Sequence, residues 1–237
     1  MKKIGFSILM VSLFVLLISG SVFAEGNIAV VFATGGLGDE SFNDMAYNGL
    51  MQAEEELGIE YSYSEPNAVA EYEDIHTRYA SMGDYDLIIG IGFDQADAID
   101  IVSSRFPDQK FAIVDQVVDA DNVASLVFDE IERGFIPGVA AALMTTREDD
   151  PRINPEKRIG VIGGMNIPLI NSNIKGFMAG AKYIDPEIEV LHSYVGAWDD
   201  PGTGKELTLS MFEEGVDIVW GAAGRSGLGV IDAAEEE

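Results

Sequence analysis

The sequence predicts an α/β protein of two lobes, each a parallel sheet covered by helices. Three observations predict it. Short apolar runs rich in Ile and Val alternate with amphipathic segments of helix length, the pattern of parallel strands buried on both faces. That alternation occurs as two successive series with a polar stretch between them. The composition, 47% hydrophobic with 26 Gly and 8 Pro, is that of a globular chain rather than a disordered one.

Residues 1–24 read as a secretory signal peptide. Lys2 and Lys3 precede an apolar run over 8–18, and Val22-Phe23-Ala24 offers a cleavage site. The run falls short of the ~20 apolar residues of a membrane span. An exported chain is therefore expected, periplasmic or extracellular. The chain has no cysteine, so disulfides, thiolate metal sites and a lipid anchor through cysteine are not expected. Removing residues 1–24 takes away two lysines and moves the formal charge from −27 to about −29. So acidic a surface disfavours nucleic acid and anionic membranes and, less strongly, phosphorylated ligands.

Strand 28–34 opens the first lobe (25–127) and runs through a glycine-broken loop into a helix over 42–57. Phe42, Met45, Ala46, Leu50, Ala53 and Leu57 give that helix its apolar face. Ser41 with Asp44 resembles a capping box, and Asp39 is a competing cap. Strand 59–64, a helix near 69–82, strand 86–92, helix 95–105 and strands 110–115 and 122–128 complete the lobe. A helix near 130–146 opens the second lobe (128–237), although Gly134, Pro137 and Gly138 argue against a regular one. A polar loop over 147–157 follows. Strands are then predicted at 158–163, 189–195 and 216–221, and helices near 168–183, 204–214 and 227–236.

In open parallel sheets ligands bind beyond the carboxyl ends of the strands, which puts Asp39, Ser41, Phe42 and Asn43 at a crevice rim. Phe42 is either a core anchor or a crevice wall. Asp115 ends the strand Phe111-Ala112-Ile113-Val114, where it either caps the next turn or accepts hydrogen bonds from vicinal hydroxyls. Phe93 and Trp220 stand at strand ends, where flat rings can sandwich a base or sugar. Trp198, in a turn-rich loop, is a second wall or a lid and ranks below Trp220. Gly221, Gly224 and Gly227 let backbone amides approach a polar ligand atom.

Enzymatic motifs fail. Gly35-Gly36-Leu37-Gly38 lacks the dinucleotide spacing, and no Walker loop is present. Gly224-Arg225-Ser226-Gly227-Leu228 approaches the hydrolase elbow, but Leu228 replaces its last glycine and no histidine follows Ser226. His76, on a polar helix, and His192, on a strand, read as surface or packing residues. A binding protein without cofactor, not an enzyme, is the expectation.

Three segments taken together carry a resemblance: Gly38-Asp39-Glu40-Ser41-Phe42-Asn43-Asp44, Gly163-Gly164-Met165-Asn166-Ile167-Pro168-Leu169 and Ala222-Ala223-Gly224-Arg225-Ser226-Gly227-Leu228-Gly229. From about Ile28 onward the chain resembles the basic membrane protein family, substrate-binding proteins of ABC transporters that include purine nucleoside receptors. The resemblance implies a type I periplasmic-binding fold, two lobes closing about a hinge on a nucleoside that is then passed to a permease. It makes Phe42 and Trp220 the two rings around the base, Asn43 a neighbouring polar contact and Asp115 a ribose ligand. Asp39, Phe93, Met165 and Gly224 are further contacts it suggests. A sugar or autoinducer receptor of the same architecture is the alternative, and an exported hydrolase or nucleosidase ranks below both. Family members continue past Glu237, so the resemblance also implies a C-terminally incomplete chain with weakened binding or stability.

Overall fold

Each helix of the first half returns the chain to a parallel strand, and the strands lie in the order β2-β1-β3-β4-β5. They are β1 (Asn27–Val31), β2 (Glu60–Ser64), β3 (Leu87–Ile91), β4 (Phe111–Val114) and β5 (Val123–Leu126). Helices α1 (Phe42–Leu57), α2 (Tyr72–Met82) and α3 (Ala96–Arg105) connect them. The computed structural model describes residues 26–147 and 149–236, so the signal peptide read at 1–24 lies outside the described residues. In the second half β7 (Glu189–Tyr194), β6 (Arg158–Gly163) and β8 (Val216–Ala222) form a parallel sheet in that order. Its helices are α4 (Glu130–Thr145), α5 (Pro168–Ile184), α6 (Pro201–Glu213) and α7 (Leu228–Glu236).

The all-parallel register explains the strand composition. Ala29 stands beside Ile88 and Ile89 beside Ala112, on the three central strands of a sheet covered on both faces. Val30, Val31 and Phe32 are completely buried, as are Ile159, Val161 and Ile162 in β6. Both sheets reverse their winding direction beside their first strand, between β1 and β3 and between β6 and β8. Such switch points leave a crevice at the carboxyl ends of the strands.

The start of α1 corrects the capping-box reading. Ser41 makes no side-chain cap bond. Asp39 accepts from the backbone N–H groups of Ser41, Asn43 and Asp44 at 2.9, 2.9 and 3.1 Å, and Asp44 accepts from those of Gly38 and Glu40. Asp39 satisfies free donors at the positive end of this 16-residue helix, Asp44 those of the loop before it, and both carboxylates complement the helix dipole. Asp39→Ala is expected to lower unfolding free energy by ~1–2 kcal/mol. A urea midpoint equal to wild type would remove Asp39 from this role.

Two other elements differ in detail from expectation, and a third keeps its expected helix despite a proline. Residues 69–82 start as a 3₁₀ turn, Val69–Glu71, before α2, and the predicted surface or packing residue His76 is fully buried. Residues 130–145 stay helical despite Pro137 because α4 lies against α5 at backbone distance. A Cβ added at Gly134 would fall 1.9 Å from Asn173 O, and one at Gly176 would fall 2.1 Å from Ile131 O. α6 begins at Pro201, earlier than expected, since Asp200 caps it by accepting from Thr203 N–H and proline suits the first turn.

Candidate functional site

A cavity of about 480 Å³ opens where the carboxyl ends of the two sheets face each other. Loops after β1, β3 and β4 line it from one sheet and loops after β7 and β8, with the start of α5, from the other. Buried polar groups hold the first of these loops. Gln95, fully buried, donates through Nε2 to Val31 O and Ile91 O, both at 2.9 Å, and so ties together the ends of β1 and β3. Tyr72 accepts from Thr34 N–H at 3.0 Å and donates to Asp94 Oδ2 at 3.2 Å, joining the loops that follow those strands. Burial pushes the Tyr72 phenol well above its ordinary value, so it remains a donor throughout the physiological range.

Asn43 Oδ1 accepts from Ala33 N–H and its Nδ2 donates to Gly36 O, at 3.0 and 3.1 Å. With 3% of its surface exposed, Asn43 braces the glycine loop with its whole amide, although it lines the cavity. Asp39, equally buried, is likewise engaged by the α1 cap. The polar atoms of these two residues thus hold the loop that carries Phe42, and both residues also line the cavity.

Four rings reach the cavity: Phe42, Phe93, Trp198 and Trp220. Phe42 is half-buried at the start of α1, so it meets both the core beneath β1 and the cavity. Trp220 is stacked on Phe177, with centroids 5.5 Å apart and planes at 17°, and presents its remaining surface to the cavity. Trp198, ranked lower in the sequence, lies over Gly164, where an added Cβ would fall 2.3 Å from the indole. It also meets Phe93 edge-on across the two halves at 6.4 Å. Gly224 lines the cavity with φ +54°, and a Cβ there would stand 3.6 Å from Trp198 O. Met165 is the exception. Its carbonyl accepts from Ile167 N–H in a tight turn, its side chain falls outside the lining, and Leu169 and Ile170 of α5 occupy that wall.

Asp115 follows β4 in the left-handed region, φ +67°, a conformation that costs a non-glycine residue energy and is held by surrounding structure. Its side chain is 6% exposed, and Oδ1 has no hydrogen-bond partner among the described residues. Arg133 Nη1 lies 3.6 Å from its Oδ2. Burial raises the Asp115 carboxyl above the usual carboxylate range and the Arg133 guanidinium opposes that rise. Asp94 is also raised by burial. Ser41 Oγ, like Asp115 Oδ1, is buried without a partner among the described residues, and Ser41 too lines the cavity. Sequence reasoning missed Asp94, Arg133 and Asn173 at this site. The one available signal for Arg133 is the scarcity of such residues, 14 Lys and Arg against 41 acids.

The groups of the near-hydrolase motif serve other purposes. Ser226 Oγ donates to Ala197 O and accepts from Asp200 N–H, fixing the Trp198 loop. His76 bonds Gln95, and His192 is exposed.

Comparisons with known proteins match this architecture. The family described as "ABC transporter substrate-binding protein PnrA-like" matches residues 27–237. The ABC transporter nucleoside-binding protein BmpA of Lactococcus lactis subsp. cremoris is 34% identical over 222 residues, which cover 92% of this chain and 60% of that protein. An uncharacterized lipoprotein of Pyrococcus furiosus is 32% identical over 246 residues, covering 98% and 60%. The crystal structure of an ABC transporter solute-binding protein from Aeropyrum pernix K1 superimposes with a TM-score of 0.80 at 33% identity, over 89% of this chain and 58% of that one. This chain thus spans about 60% of the length of the curated relatives it matches. Its α/β architecture is the periplasmic-binding-protein fold of these solute receptors. The chain belongs to the basic membrane protein family of PnrA-like ABC transporter substrate-binding proteins.

Proposed function

We propose that this protein is an exported receptor that captures a nucleoside, of the purine class, and delivers it unchanged to the permease of an ABC transporter. Lobes 25–127 and 128–237 close on the ligand about a hinge. One observation carries the reading: a single cavity combines an aromatic ring from each half, Phe42 and Trp220, with a buried carboxylate oxygen, Asp115 Oδ1, that lacks a partner. Rings of this kind hold a flat base by offset stacking, and an acceptor without a donor suits a ribose hydroxyl. The cavity volume falls within the range of small-molecule sites. The nucleoside-binding relative from Lactococcus lactis supports the same ligand class. The strong negative charge favours a neutral solute over a phosphorylated one, and these 237 residues offer no cysteine for a lipid anchor.

Calorimetric titration with nucleosides, free bases, ribose and hexoses tests the reading. Purine nucleosides should bind, and binding of sugars alone would replace the reading with a sugar receptor. Phe42→Ala should weaken nucleoside binding about tenfold, ~1.4 kcal/mol, near the upper end of an aromatic stacking contribution. A lowered melting temperature with unchanged affinity would make Phe42 a core residue only. Asp115→Asn should penalise ribonucleosides more than 2′-deoxyribonucleosides.

A further inference from the structure

Asp115 and its neighbour Arg133 belong to different halves of the molecule. Asp115 follows β4 of the first sheet, whereas Arg133 sits in the first turns of α4, which is packed against α5. The next residue, Gly134, meets the backbone of Asn173 on α5 so closely that no side chain fits between them. That contact fixes the register of α4, and Arg133 Nε then donates to Asn173 Oδ1 at 3.0 Å. Asn173, 2% exposed, is itself held by donating to Leu169 O. The guanidinium is thus anchored to the second sheet's helices at one end and reaches Asp115 Oδ2 with the other.

We propose that Arg133 is a positioning residue for ligand capture: anchored through Asn173 on the second half, it engages Asp115 Oδ2 and leaves the buried, unpartnered Oδ1 as the ligand's acceptor. The role of Asp115 toward the ligand rests on the nucleoside reading, but the hold of Arg133 on Asp115 does not. The charged groups acting on the Asp115 carboxyl are Arg133 and Glu130, both on α4, and Glu130 works against the ionised form. Arg133 is the cation that opposes the rise which burial imposes on this carboxyl. Only the ionised form offers acceptors alone, so the same pair sets the pH below which capture weakens.

Two measurements separate the inference from the reading beneath it. Carbonyl-detected NMR follows the titration of Asp115 in ligand-free protein, in the wild type, Arg133→Gln and Arg133→Lys. The Asp115 midpoint should move upward in Arg133→Gln and return toward wild type in Arg133→Lys. An unmoved midpoint in Arg133→Gln, or a lysine variant that behaves as the glutamine variant does, overturns the proposal. Nucleoside affinity measured across pH should fall about fivefold at neutral pH in Arg133→Gln, the scale of a partly exposed ion pair, and its acid limb should begin at higher pH. A wild type that binds no nucleoside while the Asp115 midpoint still shifts defeats the nucleoside reading and upholds the positioning by Arg133.

Discussion

Gly134→Ala and Gly176→Ala should each lower unfolding free energy by at least ~2 kcal/mol, whereas Gly49→Ala should raise it by ~0.5–1 kcal/mol. All three glycines lie inside helices, so alanine gains the same helix propensity at each. They differ in what the new methyl group meets. At Gly49, exposed on α1, nothing lies within 4 Å. At Gly134 and Gly176 the methyl would fall 1.9 and 2.1 Å from backbone carbonyl oxygens of the facing helix, and Gly138 and Gly180 repeat the arrangement at 2.2 Å. A backbone cannot rotate aside as the end of a side chain can, so α4 and α5 must separate and lose contact along the whole seam. Urea denaturation of the three variants gives the signs directly. A Gly134→Ala variant as stable as Gly49→Ala would show that the helices are not in backbone contact. Separation also carries Arg133 away from Asp115, so Gly134→Ala should weaken ligand capture as well.

Elements whose pattern is local were legible in the sequence. The helix over 42–57 and the strand over 158–163 stand where periodicity and Ile/Val content put them. The rings and the strand-end carboxylate were found because parallel sheets place ligands at strand ends, and Phe42, Phe93, Asp115, Trp220 and Gly224 all line the cavity. Groups whose role depends on another element were not legible. Arg133 is unremarkable on its own helix and gains its role only through the register of α4 against α5. Asn43 and Asp39 were placed at the rim, but a sequence does not reveal that backbone amides consume their polar atoms. Ser41 and Asp39 compete as caps on equal sequence terms, and only the backbone turn decides between them. His76 did leave a trace: Tyr72, His76, Tyr79 and Ala80 are all buried in α2 and follow the spacing of one helix face. Surrounding Glu, Asp, Thr and Arg residues concealed it.

That buried histidine should make the protein lose about 3 kcal/mol of stability between pH 7 and pH 4. His76 is packed against Phe111 beneath the first sheet, and Nε2 lies 2.7 Å from Gln95 Oε1 while Nδ1 has no partner among the described residues. Burial, only partly offset by the bond to Gln95, pushes the imidazole down from 6.5 to about 4. In the unfolded chain the ring binds its proton near 6.5, so between these two values the unfolded state holds the extra proton. Stability from this group is therefore complete above pH 6.5, erodes as pH falls and is lost once pH passes about 4. Asp94 and Asp115 act in the opposite direction. Their carboxyls are raised by burial, so in the native state they take up protons before their unfolded counterparts, which favours folding as pH falls. The His76 contribution is isolated by subtraction, from urea unfolding of wild type and His76→Gln across pH 4 to 7. The variant should be less stable at pH 7, where the neutral ring packs best, and should lose less on acidification. Parallel stability curves for the two proteins would mean that the ring reaches solvent and titrates as it does in the unfolded chain. Because Gln95 also ties together the ends of β1 and β3, protonation of His76 below pH 5 should loosen the loops carrying Phe42 and Phe93. Ligand affinity should then fall in the same pH window in which stability falls, and more steeply in wild type than in His76→Gln.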